Sequence, residues 1–346
     1  MSQRLVRLAT KALPLAGQPP AFAAEAGGFV HVLAADARGG GSSHITLDRD
    51  GAAARPADVL PLSLVSAAGC GAQVVAVGVR AGEVARSAIG VAADGTILWE
   101  TPLPVPARGL VWVVPACVAG EPAVVWEVEG DAAGELSFAS VRGGRLGRVI
   151  TSSQPGVAYG LHVAARDESL FVLRSRGSER PADILRLEGG EVAARSETSK
   201  NAQALATVGE RLAVLSWTTE ALLLQWLDSS LAPLGGPETI ASAAPPSWIR
   251  YATLHTAGED RVAVSYLVGE TGGLAQPPGA RSEPGEYARH FLGRYDAASH
   301  ALEDLTELAP AGTAWLAGAW LGDRLLFARG ATGAALSVFE LERQRG

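Results

Sequence analysis

Apolar residues in this chain stand in short runs, either alternating with polar positions or four to five together. Gly-, Asp- or Ser-bearing turns separate the runs every 8–12 residues. Alternation of this kind marks half-buried strands, and short unbroken runs mark strands covered on both faces. Helical spacing is almost missing. No stretch of twelve or more residues carries apolar positions at i, i+3, i+4 and i+7 without a Gly, a Pro or an alternating pattern cutting it. The pattern predicts an all-β chain of many short strands.

One element recurs. A small-acidic turn leads into an apolar run at Gly209-Glu210-Arg211-Leu212-Ala213-Val214-Leu215, at Gly258-Glu259-Asp260-Arg261-Val262-Ala263-Val264 and at Gly322-Asp323-Arg324-Leu325-Leu326-Phe327. Looser copies begin their runs at Val30, Val74, Ala123 and Leu170. The seven runs thus start at 30, 74, 123, 170, 212, 262 and 325, at intervals of 44, 49, 47, 42, 50 and 63. All but the last interval match one four-stranded blade of about 40–50 residues. The fourth unit parses into predicted strands at 159–165, 169–174, 183–187 and 191–195.

Seven units fit, starting near residues 20, 62, 107, 157, 202, 247 and 313, and the seventh runs out after three strands. An unassigned apolar stretch, residues 4–9, precedes the first unit. An unpaired strand edge invites aggregation, so residues 4–9 are expected to complete the last blade. On these repeats the whole chain, 1–346, resembles a seven-bladed β-propeller: a single all-β domain closed by its N-terminal strand. A pair of two-sheet sandwiches is the alternative. No family within the fold is singled out. The kelch double glycine and the WD40 Trp-Asp ending are missing. The segment Ala93-Asp94-Gly95-Thr96-Ile97-Leu98-Trp99-Glu100 resembles the tryptophan-docking motif of quinoprotein-type propellers, but occurs once.

Charge and composition narrow the partners. With 29 basic against 36 acidic residues the net charge is −7, and phosphate binding needs a concentrated basic face, so nucleic acid is not an expected partner. No apolar run reaches the ~18–20 residues of a membrane span, and no membrane partner is expected. The N-terminal apolar stretch is broken by Lys11 and Pro14, which a translocated signal rarely tolerates; a cytoplasmic location is expected. Lys11 and Lys200 are the only lysines, and Ala and Gly are abundant, the bias of a GC-rich bacterial coding sequence. Cys70 and Cys117 fall near the same kind of turn in adjacent units. They read either as a bridged pair or as two small buried side chains.

The resemblance also locates a face. In propellers the first strand of each blade lines the central channel. Loops entering those strands share one side with the loops between second and third strands, where ligands usually bind. Here the strand entrances carry Arg108, Trp112, Tyr159, Gln203, Trp248, Arg250, Tyr251 and Trp315 as candidate ligand-binding residues. With Phe22, six of the chain's 20 aromatic residues fall in this zone. Aromatic rings mixed with arginine give large contact area at low entropy cost; ordinary packing between blades is the plain alternative. The longest interval places an insertion, residues 269–286, between the second and third strands of the sixth unit, as a lid or as a simple surface loop. In unit four the loop Arg174-Ser175-Arg176-Gly177-Ser178-Glu179-Arg180 brings three arginines to the same side. Guanidinium forks suit carboxylates, and a solvated loop is the bland alternative.

Catalytic signatures are scarce. None of the six histidines pairs at metal-ligand spacing, and no HExxH, GxSxG or phosphate loop is present. His162 and His255 lie on predicted first strands, so they are the candidates for acid–base work in the channel. No metal or cofactor is expected. The expected function is a non-catalytic binding or scaffold protein holding a peptide or protein segment at the channel mouth, with a bacterial peptide-modification or natural-product pathway as one setting. The alternatives are a propeller hydrolase or lyase using a channel histidine, and a carbohydrate-binding propeller. The last ranks lowest, because the Trp positions do not recur from unit to unit.

Overall fold

The computed structural model describes residues 3–15, 18–35, 40–106, 111–130, 133–177, 180–243, 247–257, 261–270, 289–309, 315–330 and 334–343. Among these residues every helix or strand is a strand, gathered into seven antiparallel sheets. The first strands of the seven sheets are Gln18–Ala26, Leu62–Cys70, Val111–Val118, Gly160–Arg166, Ala202–Val208, Ser247–Ala257 and Trp315–Leu321. Each touches the first strands of the two neighbouring sheets, and the circle closes from the seventh back to the first. The architecture is a seven-bladed β-propeller around a central channel. Among the described residues the sheets form a ring and not a pair of face-to-face sandwiches, which removes the structural alternative.

Why these runs recur follows from the packing. A second strand has a neighbouring blade on both faces, so it is mostly apolar, and any polar side chain in it needs a partner. Phe29–Ala35 and Ser169–Ser175 are each buried at every position but the first. Outer strands face water: Glu191–Lys200 is almost wholly exposed or half-buried. The core is accordingly divided. Seven hydrophobic clusters form, each filled from two adjacent blades.

The ring is clasped by its two chain ends. Gln3–Leu13 pairs antiparallel with Ala334–Arg343, from Gln3 opposite Arg343 to Leu13 opposite Ala334, as the outer strand of blade seven. The clasp runs beyond residues 4–9, and it buries Leu5 in one interblade cluster and Leu13 in another. A disulfide joins Cys70 and Cys117, at the ends of the first strands of blades two and three. Of the two sequence readings of the cysteines, the bridged pair holds.

Outer turns share a device that gapped repeats hide. Asp48 Oδ1 accepts from the amides of Asp50 and Ala52, and Asp228 Oδ1 from those of Ser230 and Ala232. The fourth turn residue has positive φ in both, Gly51 at 70° and Leu231 at 72°. Side-chain capping of this kind satisfies turn amides that no ladder reaches. The 269–286 insertion lies, from residue 271 onward, outside the described residues.

Candidate functional site

The predicted binding residues divide three ways. Arg108 lies outside the described residues. Trp248, Arg250 and Tyr251 fall on the first strand of blade six, where the pairing register shifts between Arg250 and Thr253. Trp315 opens the first strand of blade seven. The side chains of these four are likewise outside the described residues. Gln203 is half-buried at a register shift between Ala202 and Ala204. Trp112 is half-buried, packs into the cluster between blades three and four, and donates its indole N–H to Ala158 O at 2.9 Å. Tyr159 differs from all of these: 64% of it is exposed, just ahead of the blade-four first strand.

The segment that carries Tyr159 is held from several sides. Gly156 O accepts from Gly134 N at 2.9 Å and from Arg174 Nη2 at 3.1 Å. Ala158 N donates to Glu127 Oε1 at 3.1 Å, while its carbonyl takes the Trp112 indole. Tyr159 N donates to Ser175 O at 2.7 Å. The tyrosine ring lies beside Gly177, where an added Cβ would come within 3.7 Å of it. An exposed aromatic on so constrained a backbone has little freedom left to lose in any contact.

Glu127, Arg174 and Asp183 form the anchor beneath, and sequence reasoning missed it. Arg174 is 0% exposed and its guanidinium donates to Glu127 (2.6 and 2.7 Å) and to Asp183 (2.8 Å). Arg195 donates to the other Asp183 oxygen at 2.7 Å, and Arg176 pairs with Asp183 and Glu197 at 3.4 and 3.2 Å. The open positive spot expected of the 174–180 loop is therefore corrected: two of its three arginines are consumed by internal carboxylates. A signal existed. Glu127 and Arg174 each stand four residues after the start of their apolar run, and a charge inside a doubly covered strand requires a partner.

The channel histidines do not make a catalytic pair. His255, 7% exposed, bridges Gly318 O through Nδ1 at 3.2 Å and Ser265 Oγ through Nε2 at 2.8 Å. Its ring meets Phe327 edge-on with centroids 4.7 Å apart. Burial pushes its pKa down to about 4, against a smaller opposing effect of Gly318 O. His162 is half-buried, and burial takes it to about 4 as well. Both rings are neutral at pH 7, and no carboxylate touches either among the described residues. The structure instead brings together two histidines on the second and third strands of blade one. His31 Nδ1 and His44 Nε2 lie 3.0 Å apart with stacked rings. Burial, then the neighbouring His31, pushes His44 down to about 4.

A cavity of about 530 Å³ occupies the half of the channel nearer the turns between first and second strands. Its walls are mainly Ala and Gly, with Glu25, Thr207, Thr256 and His255 as polar members. Of the predicted site residues whose side chains are described, only His255 lines it. Among the described residues no group of three His, Cys, Asp or Glu side chains could hold a metal ion, and no helix is long and apolar enough to cross a membrane.

The seven closed sheets define a seven-bladed β-propeller. No family model matches the chain, and no curated protein matches it either. Solved structures do. The β-propeller domain of Myceliophteria thermophila Cps50 (Swd1) superposes with a TM-score of 0.58 at 9% identity, over 98% of this chain and 100% of that one. A neuraminidase-like protein from a flat-faced bat isolate gives 0.51 at 8% identity, over 78% and 90%. The phage phi92 endosialidase gives 0.50 at 12% identity, over 99% of this chain and 70% of that one. At such identities the likeness extends to the fold alone.

Proposed function

We propose that the protein is a non-catalytic binding or scaffold propeller that holds a peptide or protein segment at the channel mouth. The observation that carries this reading is Tyr159, an exposed ring on a backbone segment fixed by five hydrogen bonds, two of them from a buried ion network. Rigid exposed aromatics are the usual anchors of protein recognition. Trp248, Tyr251 and Trp315, on the first strands of blades six and seven, are the further anchors proposed.

A hydrolase or lyase is less well supported, since His255 is engaged at both ring nitrogens and His162 has no acidic partner among the described residues. A carbohydrate site would need open indoles. Trp126, Trp226 and Trp320 are buried between blades instead. A role in presenting a peptide to a biosynthetic enzyme fits the bacterial-type composition. On compartment two features pull apart: the broken N-terminal apolar stretch favours the cytoplasm, and the Cys70–Cys117 bridge favours an oxidising space. Thiol titration of protein taken directly from its host separates the two.

Selection against a displayed library of random linear peptides tests the function. Tyr159→Ala, and separately the double replacement Trp248→Ala/Tyr251→Ala, should lower the affinity of recovered peptides at least about tenfold. Melting should barely move for Tyr159→Ala. Unchanged affinity in both variants overturns the reading.

A further inference from the structure

We infer that Tyr159 and Arg180 together form a recognition site for a carboxylate, presented by a peptide C-terminus or by an Asp or Glu side chain. The inference rests on the peptide-binding reading above and specifies its chemistry. Arg180 is exposed, and its Nη1 lies 3.9 Å from where a Cβ on Gly156 would stand. Gly156 is three residues before Tyr159 and has φ of +67°, so the backbone there is bare and close to the guanidinium. Tyr159 in turn flanks Gly177, three residues before Arg180. The two short segments thus lie across from each other, with the ring on one and the cation on the other.

Charge bookkeeping selects the ligand class. Arg174, Arg176 and Arg195 face Glu127, Asp183 and Glu197, three cations against three anions, and the network is neutral. Arg180 is left over. Among the described residues no carboxylate pairs with it, while the protein as a whole carries −7. Its sequence neighbour Glu179 lies outside the described residues. The guanidinium at one end of the facing segments offers a fork for two carboxylate oxygens, and the exposed ring at the other end offers a flat surface for a neighbouring apolar part of the same peptide. Because the rest of the surface repels anions at long range, only a ligand that reaches this fork gains from it, which confers selectivity rather than general attraction.

The test uses the full chain, immobilised, and four synthetic libraries of random linear peptides. They end in a free carboxylate or an amide, and each form is made with or without Asp and Glu. Retention is read by mass spectrometry. The library that is amidated and lacks acidic residues should be retained about tenfold less than the others, and Arg180→Ala should erase that difference. Arg180→Lys should restore part of it. Comparing the two singly depleted libraries tells a C-terminus from an acidic side chain. Both variants change the one exposed position, so their melting should match the parent. Equal retention of all four libraries overturns the carboxylate site but leaves peptide binding intact. Retention of none overturns both.

Discussion

The guanidinium of Arg174 donates to both carboxylate oxygens of Glu127, at 2.7 and 2.6 Å, from the equivalent position of the neighbouring blade's second strand. Such a fork, fully removed from water, adds little net stability because desolvation offsets the attraction, yet breaking it leaves an unpaired buried charge. Arg174→Met should therefore cost about 3–5 kcal/mol, read as a drop in the urea midpoint. Amide exchange at Ala158 and Tyr159 should accelerate in the same variant, since their anchor is gone. A loss under about 1 kcal/mol would show the carboxylates finding other partners.

The bridge between Cys70 and Cys117 spans 47 residues and ties blade two to blade three. Loop-closure entropy assigns a bridge of that span about 4 kcal/mol. Reduced protein, or Cys70→Ala/Cys117→Ala, should melt at a lower temperature while retaining its far-ultraviolet spectrum. Equal melting with and without reductant would show that the thiols are not joined in solution.

His44 and His255 both titrate near 4 in the folded protein against 6.5 for the free side chain, chiefly because they are buried. Their folded pKa values are depressed, so the unfolded chain binds the extra protons. Stability is then fully present above pH 6.5, falls as pH drops towards 4, and levels off below it. Each histidine should remove on the order of 3 kcal/mol by pH 4. Urea titrations at successive pH values measure this, and His44→Gln should flatten part of the slope. A pH-independent midpoint between 7 and 4 would contradict the burial of both rings.

Gly318 lies under the Phe327 ring, and a Cβ there would approach it to 2.7 Å. Its carbonyl also receives His255 Nδ1. Gly318→Ala should cost about 1–3 kcal/mol through overpacking. The same change should raise the pKa of His255 towards 6.5, followed by its imidazole proton shifts, as the blade-six and blade-seven strands part.

The ring of blades was legible because second strands are apolar on both faces, so Val30, Val74, Ala123, Leu170, Leu212, Val262 and Leu325 report the repeat directly. Closure was legible as leftover strands at the two ends. The mouth was legible only as a set of positions. Whether a ring there is a strut or an anchor depends on partners from another blade: Trp112 spends its N–H on Ala158, while Tyr159 stays open. The three arginines of the 174–180 loop show the same limit. Glu127 lies 47 residues before Arg174, and spacing alone does not say that neighbouring blades oppose those positions. His31 and His44 were hidden for the same reason, being a contact across a hairpin rather than a motif along it.

The strand pairing of Gln3–Leu13 with Ala334–Arg343 has a consequence during synthesis. At about 5–20 residues per second, the first segment leaves the ribosome roughly 20–70 s before its partner exists. Throughout that interval an amphipathic strand, with Leu5 and Leu13 destined for burial, waits beside six incipient blades. The apolar face of that strand stays without its native cover until residues 334–343 emerge.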